Sequence, residues 1–166
     1  MNRIAVFQHL DIEHPGIFRE FLADDGISWD RIELDQGDAI PDLRAYDALW
    51  VMGGPMDVWE EDQYPWLVPE KEAIRIAVNE LKLPFLGICL GAQMLAKNLG
   101  GTVQRAKDHQ FEIGFYDIKP TGDGHKIFQN QKTFFQWHKE GFTAPKSCDI
   151  LALGETFPQQ AFNYKN

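Results

Sequence analysis

The feature that most constrains the fold is the junction of an apolar run with a helix-patterned run at residues 83–101. Apolar residues dominate 83–88, which predicts a short buried strand. The apolar residues that follow recur at helical spacing and end at a glycine pair: Ala92, Leu95, Ala96 and Leu99, then Gly100 and Gly101. Cys89 lies between the two segments, with Gly87 and Gly91 on either side. The pattern predicts a strand-turn-helix elbow with a cysteine at its turn.

An elbow of this kind can present a nucleophile. Gly87 and Gly91 suit it because a sharp turn brings the backbones so close that a Cβ has no room. The turn directs the Cys89 thiol outward, and the N-terminal end of the following helix favours the reactive thiolate. The alternative is that Cys89 is a small core residue, since free cysteines are among the most buried residue types. The surrounding sequence has to decide between the two.

The first hundred residues alternate between predicted strands and predicted helices. Strands are predicted at 4–7, 27–34 and 48–52, and helices at 17–22 and from Pro69 to Leu81. This alternation predicts an α/β fold with a mainly parallel, twisted sheet and helices on both faces, of the flavodoxin-like type.

The last third of the sequence has a different pattern. Strand-like runs separated by turn signals occupy 102–106, 111–118, 133–138, 149–153 and 159–164, with a brief helix near 126–129. We therefore expect an antiparallel extension in the C-terminal third. No repeat or linker interrupts the sequence, so one domain is predicted over residues 1–166.

Charge and composition limit the classes of partner. The sequence has 16 Lys and Arg against 25 Asp and Glu, a net charge of −9, and no basic cluster. This balance argues against a nucleic-acid binder and against binding to anionic membranes, and leaves small molecules or proteins as partners.

Targeting and cofactor signals are also lacking in the sequence. No apolar run is long enough to cross a membrane, and the start MNRIAVFQHL has no signal-peptide core, so a cytoplasmic protein is predicted, with Cys89 and Cys148 reduced. No set of residues has the spacing of metal ligands, and no phosphate-binding loop is present. We expect neither a metal nor a cofactor.

A second glycine-rich segment follows the predicted strand at 48–52. It reads Gly53-Gly54-Pro55-Met56, and a glycine pair at a strand end lets a backbone N–H approach a ligand closely. In parallel sheets the carboxyl ends of the strands meet at one edge, so this segment and Cys89 are expected to lie together. The N–H groups of Gly54 and Leu90 are then candidates for an oxyanion hole.

With these segments in place, the sequence resembles a known family. GGPM at 53–56, GICLGAQ at 87–93 and EIGF at 112–115 resemble the class I glutamine amidotransferase domain. The resemblance extends through 58–67, 133–145 and 154–164, and so covers nearly the whole sequence. It is closest to the stand-alone members related to the glutaminase domain of GMP synthase.

The resemblance implies a reaction and a set of residues. Cys89 would be the nucleophile that attacks the side-chain amide of glutamine and forms a γ-glutamyl thioester. The reaction releases glutamate, and ammonia passes to an unidentified acceptor, which implies an ammonia-accepting synthetase as partner. Gly54 and Leu90 would form the oxyanion hole, and Gln93 would hold the amino-acid end of glutamine.

The reaction also needs a histidine and a carboxylate as its acid–base pair. In the family this pair stands in a QFHPE-like segment, on a strand after the one that matches 159–164. The five histidines all precede that position: His9, His14, His109, His125 and His138. We therefore expect the sequence to be truncated before the final strand and helix.

His138, in QWHKE, matches a different family element, a tryptophan–histidine segment beside the glutamine pocket. It is predicted to bind substrate, with the general base and a purely structural histidine as alternatives. Glu112 is either a partner of the pocket residues or a solvated strand residue. His9 follows the first strand at the carboxyl edge of the sheet, where it either faces the cleft or is a loop histidine without a partner.

Other functions stay open at this point. A γ-glutamyl peptide hydrolase would use the same thioester half-reaction with a different leaving group. A non-catalytic regulator would keep the pocket and lack the acid–base pair. A dienelactone-type or other cysteine hydrolase would share the elbow but not the GGPM and EIGF segments.

Overall fold

The computed structural model describes residues 2–107 and 110–165, and the chain divides into two compact units after Asn98. The helices and strands of the first unit are β1 (Arg3–Gln8), α1 (Phe18–Asp24), β2 (Ser28–Glu33), β3 (Ala48–Val51), α2 (Leu67–Arg75), β4 (Phe85–Gly87) and α3 (Leu90–Asn98). Short 3-10 turns at Leu34–Gln36 and Leu43–Ala45 and a π-helical turn at Ile76–Glu80 complete it. The predicted strand and helix alternation is confirmed.

The first unit is organised around a four-stranded parallel sheet. Its strand order is β2-β1-β3-β4, which places β1 between two neighbours. The four apolar residues at the centre of β1, Ile4 to Phe7, are 0% exposed. A strand that is buried on both faces has a continuous apolar sequence, as this one has. The first residue after β1 is His9, which is therefore held at the carboxyl end of the central strand.

Helix α2 begins earlier than the sequence predicts, at Leu67 and not at Pro69. Proline is tolerated there because the N–H groups of a first helical turn have no partner within the helix. Among the apolar residues of this predicted helix, Ile74, Ala77 and Val78 are buried, whereas Leu81 is half-buried. This face of the helix also carries the buried Glu70.

Strand β4 is less buried than the sequence predicts. The prediction was a buried strand over 83–88, whereas β4 spans Phe85–Gly87 and all three of its residues are half-buried. The reason is its position: among the described residues it is the last strand in the order of this sheet, so only one of its edges pairs with a neighbour. Its short length brings Cys89 close to the strand end.

The second unit consists of antiparallel pairs, as predicted for the C-terminal third. Its elements are β5 (Thr102–Arg105), β6 (Glu112–Asp117), β7 (Lys119–Pro120), α4 (Gly124–Phe128), β8 (Thr133–His138), β9 (Glu140–Thr143), β10 (Asp149–Leu153) and β11 (Ala161–Asn163). The hydrogen-bonded sheets are β11-β10-β7, β5-β9 and β6-β8. The parallel sheet, the helices and these antiparallel strands confirm the predicted α/β fold class.

Three further sequence predictions concern membrane spans, His109 and the domain boundary. No helix in the part of the chain that the structure describes could cross a membrane by length and hydropathy. His109 lies outside the described residues. The predicted single-domain boundary of 1–166 stays a prediction.

Candidate functional site

Cys89 occupies the turn between β4 and α3. Its φ of +51° places it in the left-handed region, which non-glycine residues rarely adopt. Backbone strain of this kind costs of order 1–3 kcal/mol and is found mainly where the surrounding structure needs it, often at functional sites. The residue is exposed and is not in a disulfide. The predicted elbow is therefore present, with a strained and accessible cysteine at its turn.

The two glycines beside Cys89 permit close backbone contact. A Cβ added to Gly87 would lie 2.7 Å from the Gly91 carbonyl carbon and the Ala92 nitrogen. A Cβ added to Gly91 would clash with the Val51 carbonyl oxygen and lie 2.9 Å from the Val51 carbonyl carbon. The start of α3 is thus packed directly on β3, with no space for a side chain at either glycine.

The Gly53–Gly54 segment lies against the elbow, as the sequence predicts. A Cβ at Gly53 would lie 3.5 Å from Cys89 Cβ and would clash with the Glu13 carboxylate. A Cβ at Gly54 would lie 3.0 Å from Leu90 Cδ2. The structure therefore brings Gly54, Cys89 and Leu90 together at the carboxyl edge of the parallel sheet.

Gln93 lies one turn along α3 from the cysteine. Its side chain is buried, and its backbone N–H donates to the Cys89 carbonyl over 3.0 Å. This position keeps it in the same unit and on the same helix as Leu90.

A buried histidine–glutamate pair adjoins the glycine segment, and the sequence alone did not reveal its role. His9 Nδ1 lies 2.7 Å from the Gly53 carbonyl oxygen, and His9 Nε2 lies 2.8 Å from Glu70 Oε1. Both side chains are 0% exposed, and Trp66 stacks on the His9 ring at 5.3 Å. The sequence does hold one signal: Glu70 lies in helical register with Ile74 and Ala77, on the stripe that the helix buries.

The charge of this pair follows from its neighbours. Burial alone lowers the pKa of His9, but the Glu70 carboxylate, its hydrogen bond and that of Gly53, and the charge of Glu13 raise this pKa above its usual value of 6.5. Burial raises the pKa of Glu13, and the His9 charge opposes that increase. The Gly53 carbonyl oxygen can only accept, so His9 Nδ1 carries a proton, and the ionised form of Glu70 accepts a second hydrogen bond from Nε2.

His138, the predicted substrate-binding residue, lies in the second unit and is paired there. Its Nε2 is 3.0 Å from Glu112 Oε2, directly across the β6–β8 pair, and its Nδ1 is 3.0 Å from the Glu140 carbonyl oxygen. Gln160 donates to the same Glu112 oxygen over 2.9 Å, and Phe157 packs on the His138 ring at 4.9 Å. The interpretation of Glu112 as a solvated strand residue is wrong, since it is 1% exposed.

The remaining candidate residues, His14, His125 and Cys148, lie outside the clusters described above. His14 accepts a hydrogen bond from the Gly16 N–H on the surface, and His125 lies in α4. Burial raises the pKa of the Cys148 thiol. Over residues 2–107 and 110–165, no cluster of His, Cys, Asp and Glu has the arrangement of a metal site.

Comparison with known proteins supports the resemblance drawn from the sequence. A family model described as glutamine amidotransferase class-I matches residues 22–160. The chain is 31% identical to the glutamine amidotransferase-like protein YfeJ of Salmonella typhimurium, over 99% of this chain and 71% of that protein. It is 32% identical to one subunit of the glutamine-hydrolysing GMP synthase of Saccharolobus solfataricus, over 65% of this chain and 54% of that relative.

A solved structure agrees with these relatives. The crystal structure of a glutamine amidotransferase from Thermotoga maritima matches with a TM-score of 0.89 at 32% sequence identity. The match covers 98% of this chain and 71% of that one. Since the family model covers most of the chain and the relatives agree with it, the chain belongs to the class-I glutamine amidotransferase family.

Proposed function

We propose that this chain hydrolyses the side-chain amide of glutamine to glutamate and ammonia through a thioester on Cys89. The observation that supports it best is the strained, exposed cysteine at a strand-turn-helix elbow, with the Gly53–Gly54 segment against it. Strain at an accessible thiol points to chemistry at that thiol more than to a packing role. Family membership points to glutamine as the amide.

The proposed reaction assigns a role to each group around Cys89. The thiolate attacks the γ-carbonyl carbon, and the carbonyl electrons move to oxygen, where the N–H groups of Gly54 and Leu90 donate to the resulting oxyanion. The C–N bond then breaks and the nitrogen leaves, with a proton, as ammonia. Water displaces the thiol from the γ-glutamyl thioester and releases glutamate.

Two further residues are proposed to bind the substrate. Gln93 would hold the amino-acid end of glutamine, since it is one helical turn from Cys89. His138 is assigned to substrate on the family resemblance alone, and its pairing with Glu112 would fix the orientation of its ring. The general acid and base of the reaction are assigned to no residue among 2–107 and 110–165.

The relatives support a proposal for the fate of the ammonia. The Saccharolobus relative is named as part of a glutamine-hydrolysing GMP synthase. We therefore propose that the ammonia passes to a synthetase partner; the proposal does not name the substrate that accepts it there. A thiol nucleophile must stay reduced, which favours the cytoplasm as the compartment.

The test uses L-glutamate γ-p-nitroanilide, because its weakly basic leaving group needs little protonation. Thioester formation releases p-nitroaniline, which is measured as an absorbance burst. Cys89→Ser should lower the burst rate by at least about 1,000-fold, since loss of a nucleophile removes the covalent step. Cys148→Ser is the matched control and should leave the rate unchanged.

Ammonia release from glutamine is then measured directly. A burst of equal rate in the Cys89→Ser protein would contradict the proposal. Amine release from γ-glutamyl peptides, with none from glutamine, would replace glutamine by a γ-glutamyl peptide as substrate. Acylation without hydrolysis would restrict the chain's activity to the thioester half-reaction.

A further inference from the structure

The His9–Glu70 pair contacts one particular peptide group of the candidate site. The carbonyl oxygen that His9 Nδ1 contacts at 2.7 Å belongs to Gly53. That carbonyl and the N–H of Gly54 are the two ends of a single planar peptide unit. The pair is therefore bonded to the opposite end of the group proposed to donate to the oxyanion.

Hydrogen bonds at the two ends of a peptide group strengthen each other. A donor at the carbonyl oxygen draws electron density toward oxygen and makes the N–H a better donor. The effect is larger when the donor is charged, and the Glu70 carboxylate, 2.8 Å from the other nitrogen, stabilises the His9 imidazolium. Complete burial keeps water from screening this interaction.

Packing fixes the same peptide in place. A Cβ on Gly54 would lie 3.1 Å from His9 Cβ, so the glycine backbone rests directly on the histidine. Trp66 covers the ring with an interplanar angle of 11°. Any shift of His9 would therefore move the peptide as well as change its polarisation.

We propose that His9, charged and held by Glu70, is a positioning residue that orients and polarises the Gly53–Gly54 peptide for oxyanion stabilisation. The inference rests on the proposed function, because it assigns the Gly54 N–H to the oxyanion of the Cys89 reaction. A purely structural pair would stabilise the fold without affecting the electronic state of this peptide. The two roles differ in what Glu70→Gln does, since glutamine keeps the shape and the acceptor but removes the charge.

The first measurement is the acylation rate with L-glutamate γ-p-nitroanilide. Glu70→Gln should lower the saturating rate about 10-fold, less than the 10²–10³-fold loss expected when an oxyanion donor is removed. The half-saturating concentration should stay unchanged, because the effect arises in the transition state. The rate of Cys89 alkylation by iodoacetamide should also stay unchanged, since that reaction forms no oxyanion.

Glu72→Gln is the matched control. It removes one negative charge from the same helix, on an exposed residue that pairs with Arg75. It should acylate at the wild-type rate. Equal acylation by the Glu70→Gln protein, or a loss matched by slower iodoacetamide alkylation, would overturn the inference.

The second measurement does not depend on catalysis. The amide proton resonance of Gly54 is followed by NMR while pH is varied. In the wild-type protein it should titrate together with the His9 ring, and in the Glu70→Gln protein it should shift upfield and lose that titration. A Gly54 resonance that responds neither to the His9 titration nor to the Glu70→Gln substitution would overturn the inference, whatever the acylation rates are.

The two measurements separate failure of the inference from failure of the proposed function. No burst in the wild-type protein, with a Gly54 resonance that follows His9, would contradict the proposed reaction and leave the polarised peptide supported. If Glu70→Gln does not fold, the double variant His9→Asn, Glu70→Gln leaves no unpaired buried charge. It keeps an amide donor for the Gly53 carbonyl, and its Gly54 resonance should show no titration.

Discussion

The described residues include two histidine–glutamate pairs, one in each compact unit, and they differ in access to water. His9 and Glu70 are both 0% exposed, whereas the His138 side chain is 13% exposed beside Glu112. Each member of an ion pair that water does not reach depends wholly on the other member, because loss of one leaves a buried charge uncompensated. The pair of the second unit can recover part of its hydration.

The two pairs also differ in how the backbone brings them together. His138 and Glu112 are direct cross-strand partners of β6 and β8, so the sheet register itself makes the contact. His9 follows the central strand and Glu70 lies on α2, at a separation of 61 residues. The His138–Glu112 contact therefore depends on one strand pair, whereas the His9–Glu70 contact depends on how α2 packs relative to β1.

The largest expected effect tests this difference directly. Glu70→Ala should lower the free energy of unfolding by about 3–5 kcal/mol, the usual cost of leaving one member of a buried ion pair. Glu112→Ala should lower it by about 1–3 kcal/mol, since His138 keeps its bond to the Glu140 carbonyl and reaches water. Urea unfolding of both variants gives the two values. Equal losses would show that the difference in exposure has no energetic consequence.

The pH dependence of stability gives an intermediate effect. The folded state raises the pKa of His9 above 6.5. The stability that the His9 charge contributes is therefore fully present below pH 6.5 and is lost as pH rises through the folded-state pKa. The free energy of unfolding should fall over that window by up to about 1.4 kcal/mol per pH unit. Urea unfolding at a series of pH values measures the slope.

Glu70→Gln is the control for this titration. The decrease above pH 6.5 should be absent in that variant, because burial without the Glu70 charge disfavours the imidazolium. Glu13 also faces His9 and has a raised pKa, so its own decrease in stability has the same sign and begins near pH 4.5, below the start of the His9 window. A decrease of the same size in the Glu70→Gln protein would assign the slope to another group.

The smallest expected effect concerns the outer surface of the second unit. Phe115 on β6 is 77% exposed and packs edge-on against Phe135. Phe115→Ala should therefore change the free energy of unfolding by no more than about 1 kcal/mol, the value of a cross-strand pair. Phe7→Ala, at a 0% exposed position of the central strand, should cost about 3–5 kcal/mol. A cost at Phe115 close to that at Phe7 would mean that this face is covered in solution.

The elbow was predictable from the sequence because its requirements are local. A strand, a turn and a helix leave different periodicities, and Gly87 and Gly91 mark the places where the backbone has no room for a Cβ. The position of the Gly53–Gly54 segment was also predictable, since carboxyl ends of neighbouring parallel strands share an edge. The roles of Cys89, Gly54, Leu90, Gln93 and His138 stay proposals.

The burial of β4 and the start of α2 were not predictable in the same way. Periodicity does not distinguish a central strand from the last strand of a sheet, so the half-buried state of Phe85 depends on strand order. Proline is accepted at several positions of a first helical turn, so Pro69 marks the region of a helix start and not its first residue.

By itself, the sequence determined the alternation of strands and helices, the elbow at Cys89 and the resemblance to the amidotransferase family, because these depend on short-range patterns and residue types. Only the tertiary structure decided which titratable groups meet. It joined His9 to Glu70 beneath the Gly53–Gly54 peptide and Glu112 to His138 across two strands. The physical reason is that a buried charge must find a partner, and which partner lies within 3 Å is set by packing of segments far apart in the chain.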